Sequence, residues 1–399
     1  MIPVAITGVG VITPLGDTLS SLGEALLAGR SAVVHLPEPD GAMGALLRDF
    51  EATRYTNVRG MRIYSRATRL GICAAHLALV DAGLNGKNDK TDNDGKALGL
   101  VASFGFAHME TLIEYDRGLV TRGVQGTNPA LMPLGLPSAA GAVTAIAFSA
   151  RAFSITLSDG GAGGLDALGL AARLLAQGRA RACVVVSAAA HCAELALSAW
   201  RSGQLSRQPD FTVFDRASRG TALGEAGVAL VLEPVDVARQ RGARCKGVLL
   251  AQASRFACQP HQRAQALERA ARAALATSGA NLADLALVSS GANGVPEVDR
   301  AEAQALLDLL GERATRTPVI AVKAALGETL EAAGLLQSLV ALQSLASKQA
   351  PPIAGLQAPS LPGLDYATRA RDLRVGPALI TCTSSTGACS ALLLSADDS

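Results

Sequence analysis

The stretch with the clearest chemical signature is Ser154-Ile-Thr-Leu-Ser-Asp-Gly-Gly-Ala-Gly-Gly-Leu-Asp-Ala-Leu168. A short β-type run ends there in a tight glycine-rich corner, and a helix is predicted to begin at once. Such a corner normally presents a nucleophile at a helix N-terminus, where backbone N–H groups and the helix dipole lower the pKa of a thiol. This corner contains no cysteine. The sequence therefore raises the question of whether the chain catalyses a reaction or only keeps the shape of a catalyst.

A relocated catalytic site is the first alternative, and its candidate residues are Ser158, His191 and Cys192. His191 and Cys192 follow a predicted buried strand, and two adjacent residues do not easily face the same substrate atom. No Cys or Asp companion lies at a useful spacing from His35, His76 or His261. A residual enzyme thus stays open as a less favoured hypothesis.

Composition restricts the class of protein. The chain has 399 residues, 49% hydrophobic and 18% charged, which indicates an ordered globular protein large enough for two halves. A net charge of +2 and only 3% aromatic residues argue against nucleic-acid or membrane partners. The seven cysteines form no C-x-x-C pair, so we expect reduced thiols, no metal site and a cytoplasmic location. The N-terminal apolar run is too short for a signal or membrane segment.

The elements that must position the corner alternate between strands and helices of 10 to 15 residues. This rhythm occurs in both halves of the chain and predicts a layered α/β architecture built by duplication. We place the halves at residues 1–239 and 240–399, with no flexible linker between them. A series of arginines precedes and enters one predicted helix, either as a solvated face or as a docking patch for an acidic partner; it comprises Arg54, Arg59, Arg62, Arg66 and Arg69.

Several motifs together resemble those of a β-ketoacyl synthase of the thiolase-like class. They are Val4-Ala-Ile-Thr-Gly-Val-Gly-Val-Ile-Thr-Pro-Leu-Gly16, Phe214-Asp-Arg, Leu223-Gly-Glu-Ala-Gly227, Asp299-Arg-Ala-Glu-Ala-Gln304 and Val322-Lys323. The resemblance extends over essentially the whole chain. It implies a thiolase-like αβαβα five-layer sandwich of two duplicated halves, and a dimer.

The family's chemistry needs one nucleophilic cysteine and two histidines, which assist malonyl decarboxylation and stabilise the enolate. Matched motif by motif, the cysteine position falls at Gly161 and the histidine positions fall at Gly291 and Glu328. The threonines that hold a phosphopantetheine arm are replaced by Asn293 and Val295. Glycine has no side chain, and a glutamate cannot supply both imidazole roles. The resemblance therefore implies a subunit that has lost condensation activity.

Two charged residues of the family site are retained, Lys323 and Glu302. We expect them to form a structural ion pair beneath the site. The family's Gly-Phe-Gly-Gly gate is shortened here to the segment Ser384–Cys389.

A narrower resemblance is to the chain-length factors, the inactive β subunits of type II polyketide ketosynthases. It rests on Ala162-Gly-Gly-Leu-Asp-Ala-Leu-Gly169 and on Phe104-x-Phe106-x-His108-x-Glu110, although chain-length factors usually carry glutamine where this chain has Gly161. The residues implied to line the tunnel for the growing chain are Phe104, Phe106, Met109, Leu112 and Ile113; each is equally compatible with an ordinary core position.

The resemblance also implies partners. They are an active ketosynthase α subunit with an intact Cys-His-His set, and a separate acyl carrier protein whose phosphopantetheine carries the acyl chain. We expect the chain to hold no cofactor of its own. A residual malonyl decarboxylase or acyltransferase, and an acyl-binding or lipid-binding scaffold, remain the alternative functions.

Overall fold

A computed structural model describes residues 3–39, 41–84, 98–208 and 211–396. Within these ranges the chain forms sixteen strands and eleven α-helices. The strands are β1 (Val4–Ile12), β2 (Val34–His35), β3 (Met43–Ala45), β4 (Leu98–Ser103), β5 (Ser154–Leu157), β6 (Ala182–Ala189), β7 (Leu223–Gly224), β8 (Ala226–Pro234), β9 (Gly247–Phe256), β10 (Leu287–Ser289), β11 (Pro318–Ile320), β12 (Gln349–Ala350), β13 (Asp365–Tyr366), β14 (Arg371–Asp372), β15 (Ala378–Thr383) and β16 (Ala388–Ser395). The helices are α1 (Leu19–Leu27), α2 (Arg66–Asp81), α3 (Met109–Arg122), α4 (Ala139–Ala147), α5 (Gly163–Ala176), α6 (Ala193–Arg201), α7 (Val235–Gln240), α8 (Arg263–Ser278), α9 (Pro296–Leu310), α10 (Lys323–Leu326) and α11 (Ala333–Ser347).

The main sheet shows the duplication directly. In the N-terminal half the strand order is β1-β8-β6-β4-β5, and in the C-terminal half it is β9-β16-β15-β10-β11. The first three strands of each set are antiparallel neighbours, and the last three are parallel neighbours. The two sets join where β1 pairs with β9, and β13 is added at one edge. The same strand order and directions in both halves confirm the predicted repeat.

Helices complete the layers. Helix α2 covers β1, β8 and β6 on one outer face, and α8 covers β9, β16 and β15 on the other. Helices α5 and α11 lie between the two strand sets, because each contacts strands of both. The result is the αβαβα five-layer thiolase-like fold predicted from the sequence. Among the described residues no single helix is long and apolar enough to cross a membrane. The bent helix pair Pro129–Gly135 and Ala139–Ala147 has the length and composition of a membrane span when its two parts are taken together.

Two glycines allow the central helices to touch. A Cβ on Gly164 of α5 would lie 2.8 Å from the carbonyl oxygen of Glu331 and 3.0 Å from the nitrogen of Leu335. A Cβ on Gly334 would lie 2.8 Å from the nitrogen of Leu165. Any side chain at either position would force the backbones apart. This close crossing brings the start of α5 against the C-terminal half of the chain, where the site is built.

Candidate functional site

The glycine-rich corner lies at the end of β5 and leads through a 3-10 turn, Gly160–Ala162, into α5. Its backbone packs directly on the end of β15. A Cβ on Gly161 would lie 2.9 Å from the carbonyl oxygen of Thr383 and 3.7 Å from Sγ of Cys382. The corner therefore has no room for a side chain at Gly161 unless the backbone shifts.

Cys382 fills the space beside the corner. Its thiol donates a hydrogen bond to the carbonyl oxygen of Gly161 at 2.9 Å, and the residue is fully buried. Burial raises the pKa of the Cys382 thiol to about 12, although the Lys323 ammonium acts in the opposite direction. A protonated, inaccessible thiol is a poor nucleophile. Sequence reasoning missed this residue, because a single cysteine in a predicted strand is typical of an ordinary core position.

Lys323 pairs with Glu328. The ammonium nitrogen lies 2.8 Å from Oε2 of Glu328, and it also donates to the carbonyl oxygen of Gly291 at 3.1 Å. Burial by itself lowers the pKa of Lys323, but the Glu328 carboxylate raises it above the ordinary value. Lys323 is therefore a buried cation that the neighbouring carboxylate neutralises.

Lys323 and Glu302 do not form the predicted direct ion pair, although each still influences the other through its charge. Glu302 accepts hydrogen bonds from the hydroxyl of Thr381 at 2.7 Å, the hydroxyl of Ser290 at 2.9 Å and the N–H of Gly291 at 3.3 Å. These neutral donors occupy Oε2, while Oε1 has no hydrogen-bond partner among the described residues. Burial raises the pKa of Glu302. Glu302 therefore links Ser290, which follows β10, to Thr381 of β15 by hydrogen bonds. The charge of Lys323 is neutralised instead by Glu328.

The three positions matched to the catalytic residues lie together. Gly161 contacts Cys382, and Gly291 and Glu328 share Lys323. A Cβ on Gly291 would lie 2.8 Å from Cα of Cys382, so this position too is closed by backbone. The cluster contains an acceptor carboxylate and a paired cation, but no accessible nucleophile and no imidazole among these contacts. This arrangement holds a buried positive charge against a carboxylate.

Two further residues complete the surroundings of Glu328. The side-chain amide of Asn293 donates to Oε2 of Glu328 at 3.0 Å, and the N–H of Leu330 donates to Oε1 at 3.0 Å. Leu330 has φ +48°, a left-handed conformation that is strained for a branched residue. Asn293 was noted in the sequence only as a replaced threonine, and its bond to Glu328 is visible only in the fold.

Glu331 is a buried carboxyl that the sequence did not indicate. Its side chain packs against Gly105 and near the hydroxyl of Ser158, and its Oε1 has no hydrogen-bond partner among the described residues. Burial, followed by the negative charge of Glu328, raises the pKa of Glu331 to about 7. Glu331 therefore changes charge near neutral pH, close to the glycine-rich corner.

The predicted tunnel residues separate into two groups. The ring of Phe104 is fully buried and packs against Gly71 and Val186, so Phe104 belongs to the core, the alternative left open by the sequence. Phe106 is 44% exposed. The other three are partly exposed on α3; they are Met109, Leu112 and Ile113. Four of the five residues are therefore available at the surface.

The relocated site considered as an alternative is not assembled. The thiol of Cys192 bonds the carboxylate of Glu194 at 3.5 Å, and the backbone N–H of His191 donates to Glu225 at 2.8 Å. Among the described residues no hydrogen bond joins Ser158 to His191 or to Cys192. Burial raises the pKa of the Cys192 thiol. No nucleophile and base pair is formed here.

Family models match most of the chain. The N-terminal domain of β-ketoacyl synthases matches residues 1–238, and the C-terminal domain matches residues 243–357. The "Tetracenomycin polyketide synthase ketoacyl synthase beta subunit" of Streptomyces glaucescens is 31% identical over 407 residues, covering 98% of each chain. The "3-oxoacyl-[acyl-carrier-protein] synthase 2" of a Synechocystis species is 26% identical over 373 residues, covering 89% of this chain and 88% of the relative.

Solved structures share the fold. "The ishigamide ketosynthase/chain length factor" aligns with a TM-score of 0.90 at 23% identity, covering 99% of each chain. A "type II PKS acyl-carrier protein in complex with its ketosynthase bound to the hexaketide" aligns with a TM-score of 0.87 at 23% identity, covering 100% of each chain. At this identity the structural matches establish the architecture only.

Proposed function

The chain belongs to the β-ketoacyl synthase family, and from that premise we propose that it is a non-catalytic chain-length factor in type II polyketide or related biosynthesis. Gly161, Gly291 and Glu328 are in this proposal the positions where catalytic side chains were lost. The observation that carries the proposal is the closed corner, where backbone and the buried thiol of Cys382 occupy the space of a nucleophile. Losing a nucleophile and both bases removes the groups that condensation requires.

The partner in this proposal is a ketosynthase α subunit with an intact Cys-His-His set. Among the strands that the structure describes, β5 is outermost in the main sheet and pairs with β4 alone, which leaves its other edge free. Helix α4 packs on β5, and the surrounding surface is unusually apolar. Among the described residues thirteen large hydrophobic residues are exposed, and seven of them fall between 106 and 146: Phe106, Leu119, Val120, Val124, Met132, Leu136 and Ile146. A free strand edge and exposed apolar side chains in the same stretch of chain favour a subunit interface.

Phe106, Met109, Leu112 and Ile113 lie in the same part of the chain. In the complex they would form the end of the tunnel in which the partner's acyl chain grows. Bulky side chains at that end set product length by steric exclusion. The interface and the length control are thus parts of one surface.

The acyl carrier protein in this proposal brings the growing chain on its own phosphopantetheine, and the subunit needs no cofactor. Arg54, Arg59 and Arg62 are exposed and suit an acidic carrier. Arg66 is not available for docking, because its guanidinium donates to the buried Glu225 at 2.8 and 3.1 Å. A cytoplasmic location and a division into halves at residues 239 and 240 also belong to the proposal.

Co-expression tests this assignment. The chain should co-purify with a type II ketosynthase that has an intact cysteine, and gel filtration should give one heterodimer. The complex should condense malonyl units, while the chain alone should not. A stable homodimer that ignores that ketosynthase would exclude the heterodimer, and condensation by the chain alone would exclude the non-catalytic role.

A further inference from the structure

Three hydrogen-bond donors converge on one carboxylate, that of Glu328: two lie within five residues of it and one comes from a distant loop. Oε2 accepts from Nζ of Lys323 at 2.8 Å and from the amide of Asn293 at 3.0 Å, and Oε1 accepts from the N–H of Leu330 at 3.0 Å. A cation, a neutral amide and a backbone N–H are the donors that proteins use to bind a carboxylate ligand. Here the carboxylate is part of the chain.

Other contacts hold these donors in place. Nζ of Lys323 also donates to the carbonyl of Gly291 at 3.1 Å, and the lysine is only 2% exposed. The backbone N–H of Asn293 donates to Asp299 at 2.9 Å, and its Oδ1 accepts from the N–H of Val295 at 3.2 Å. Most of the geometry of the donors is therefore fixed by bonds that do not involve Glu328.

The side chain of Glu328 lies closer to solvent than the lysine that it contacts. The side chain of Glu328 is 12% exposed, against 3% for the side chain of Lys323. The backbone of Glu328 is separately anchored, since its N–H donates to Ala222 at 2.8 Å and its carbonyl accepts from Gly224 at 3.0 Å. Shortening the side chain would leave the backbone in position and open the donors to solvent.

We propose that Lys323, Asn293 and the Leu330 N–H form a binding site for a small carboxylate, and that Glu328 occupies this site from within the chain. The internal carboxylate neutralises Lys323 and excludes any carboxylate-bearing ligand from the subunit. All residues of the site belong to this chain. The proposal can therefore be tested without the proposed partner and independently of chain-length control.

Chemical rescue of E328A in the full-length chain tests the proposal. In sodium chloride this variant should have a lower Tm than the wild type, because a buried cation loses its partner. Sodium formate or acetate at the same ionic strength should raise the Tm of E328A in a saturable manner, as a ligand that binds only the folded state does. Wild type and E328Q should show no such carboxylate-specific increase, since their sites remain filled.

Two further variants make the test specific. E331A removes another buried carboxyl of the same segment that has no bond to lysine, and acetate should not rescue it. Adding N293A to E328A should weaken acetate binding roughly tenfold, because one donor to a charged group is lost. If E328A does not fold in chloride, its refolding yield in acetate and in chloride gives the same comparison.

The outcomes separate clearly. Saturable rescue of E328A alone, weakened by N293A, supports the internal carboxylate site. Equal effects of acetate and chloride on E328A, or equal rescue of E331A, would overturn it. A structure of E328A in acetate with no anion between Lys323 and Asn293 would do the same.

Discussion

The thiol of Cys382 donates a hydrogen bond to the carbonyl oxygen of Gly161 at 2.9 Å, across 221 positions of sequence. Cys382 lies one residue before the end of strand β15, and Gly161 lies in the turn before α5. The contact closes the corner on the side where a nucleophile would otherwise project. In this chain a packed, hydrogen-bonded thiol therefore lies directly against the backbone of the corner.

Cys382 should resist alkylation in the folded protein. Its thiol is fully buried, and burial raises its pKa to about 12, so little thiolate forms at pH 8. Iodoacetamide treatment followed by peptide mass spectrometry should leave Cys382 unmodified while it labels the exposed Cys258. Labelling of both residues at similar rates in the native protein would show that the corner is open.

Restoring the cysteine should not restore condensation. In G161C the new Cβ meets the carbonyl oxygen of Thr383 at 2.9 Å, so the corner must shift, and Gly291 and Glu328 still provide no imidazole. Malonyl condensation by this variant, measured with radiolabelled substrate and no partner, should remain at background. Turnover above that background would contradict the roles assigned to Gly291 and Glu328.

Stability should fall with rising pH through Glu331. In the folded protein its pKa is about 7, whereas the ordinary pKa of a glutamate is 4.5, so the folded state binds the proton more tightly. Stability from this difference is fully present below pH 4.5 and is lost as the pH rises through 7; it amounts to at most about 3 kcal/mol.

The E331Q variant keeps the shape but cannot ionise. Relative to the wild type, E331Q should have a larger free energy of unfolding in urea at pH 8.5 than at pH 5.5, because only the wild type loses stability as Glu331 ionises. The matched control is E312Q at an exposed glutamate, which should follow the wild type at both pH values. Parallel behaviour of E331Q and E312Q would show that Glu331 does not titrate in this range.

Product length should depend on the exposed aromatic and thioether side chains of the tunnel segment. In the complex with the ketosynthase, F106A and M109A should each enlarge the end of the tunnel and lengthen the product, which mass spectrometry would detect. Phe104 is the internal control, since F104A should instead destabilise the fold by about 3–5 kcal/mol through a core cavity. Unchanged product length in both F106A and M109A would contradict length control by this segment.

Charge placed on the apolar surface should break the heterodimer without unfolding the chain. Val120 and Ile146 are 84% and 77% exposed, so V120E and I146D disturb no core contact. A buried, unpaired charge in an interface is costly, and each variant should elute as separate subunits in gel filtration. V375D serves as the control, because Val375 is 67% exposed but lies far from β5 in the sheet order and near β15. A heterodimer that tolerates both variants would place the interface elsewhere.

Local patterns in the sequence determined the architecture. The alternation of apolar strands and amphipathic helices predicted the duplicated α/β layers, because each element is encoded by its own periodicity. The resemblance to the family also matched Gly161, Gly291 and Glu328 to the catalytic positions, and that assignment stays a prediction; glycine at two of them has no side chain. Both conclusions depend on residues that are close in the sequence or anchored by nearby motifs.

The tertiary structure alone decided which groups meet. The sequence predicted Glu302 as the partner of Lys323, and only the fold shows that Lys323 contacts Glu328 while Glu302 accepts from Ser290 and Thr381. Cys382 gave no local signal, since its partner is 221 residues away. Phe104 and Phe106 are two residues apart, yet one is buried and the other exposed. Side-chain direction, burial and pairing depend on contacts between distant segments, and the sequence does not list those contacts.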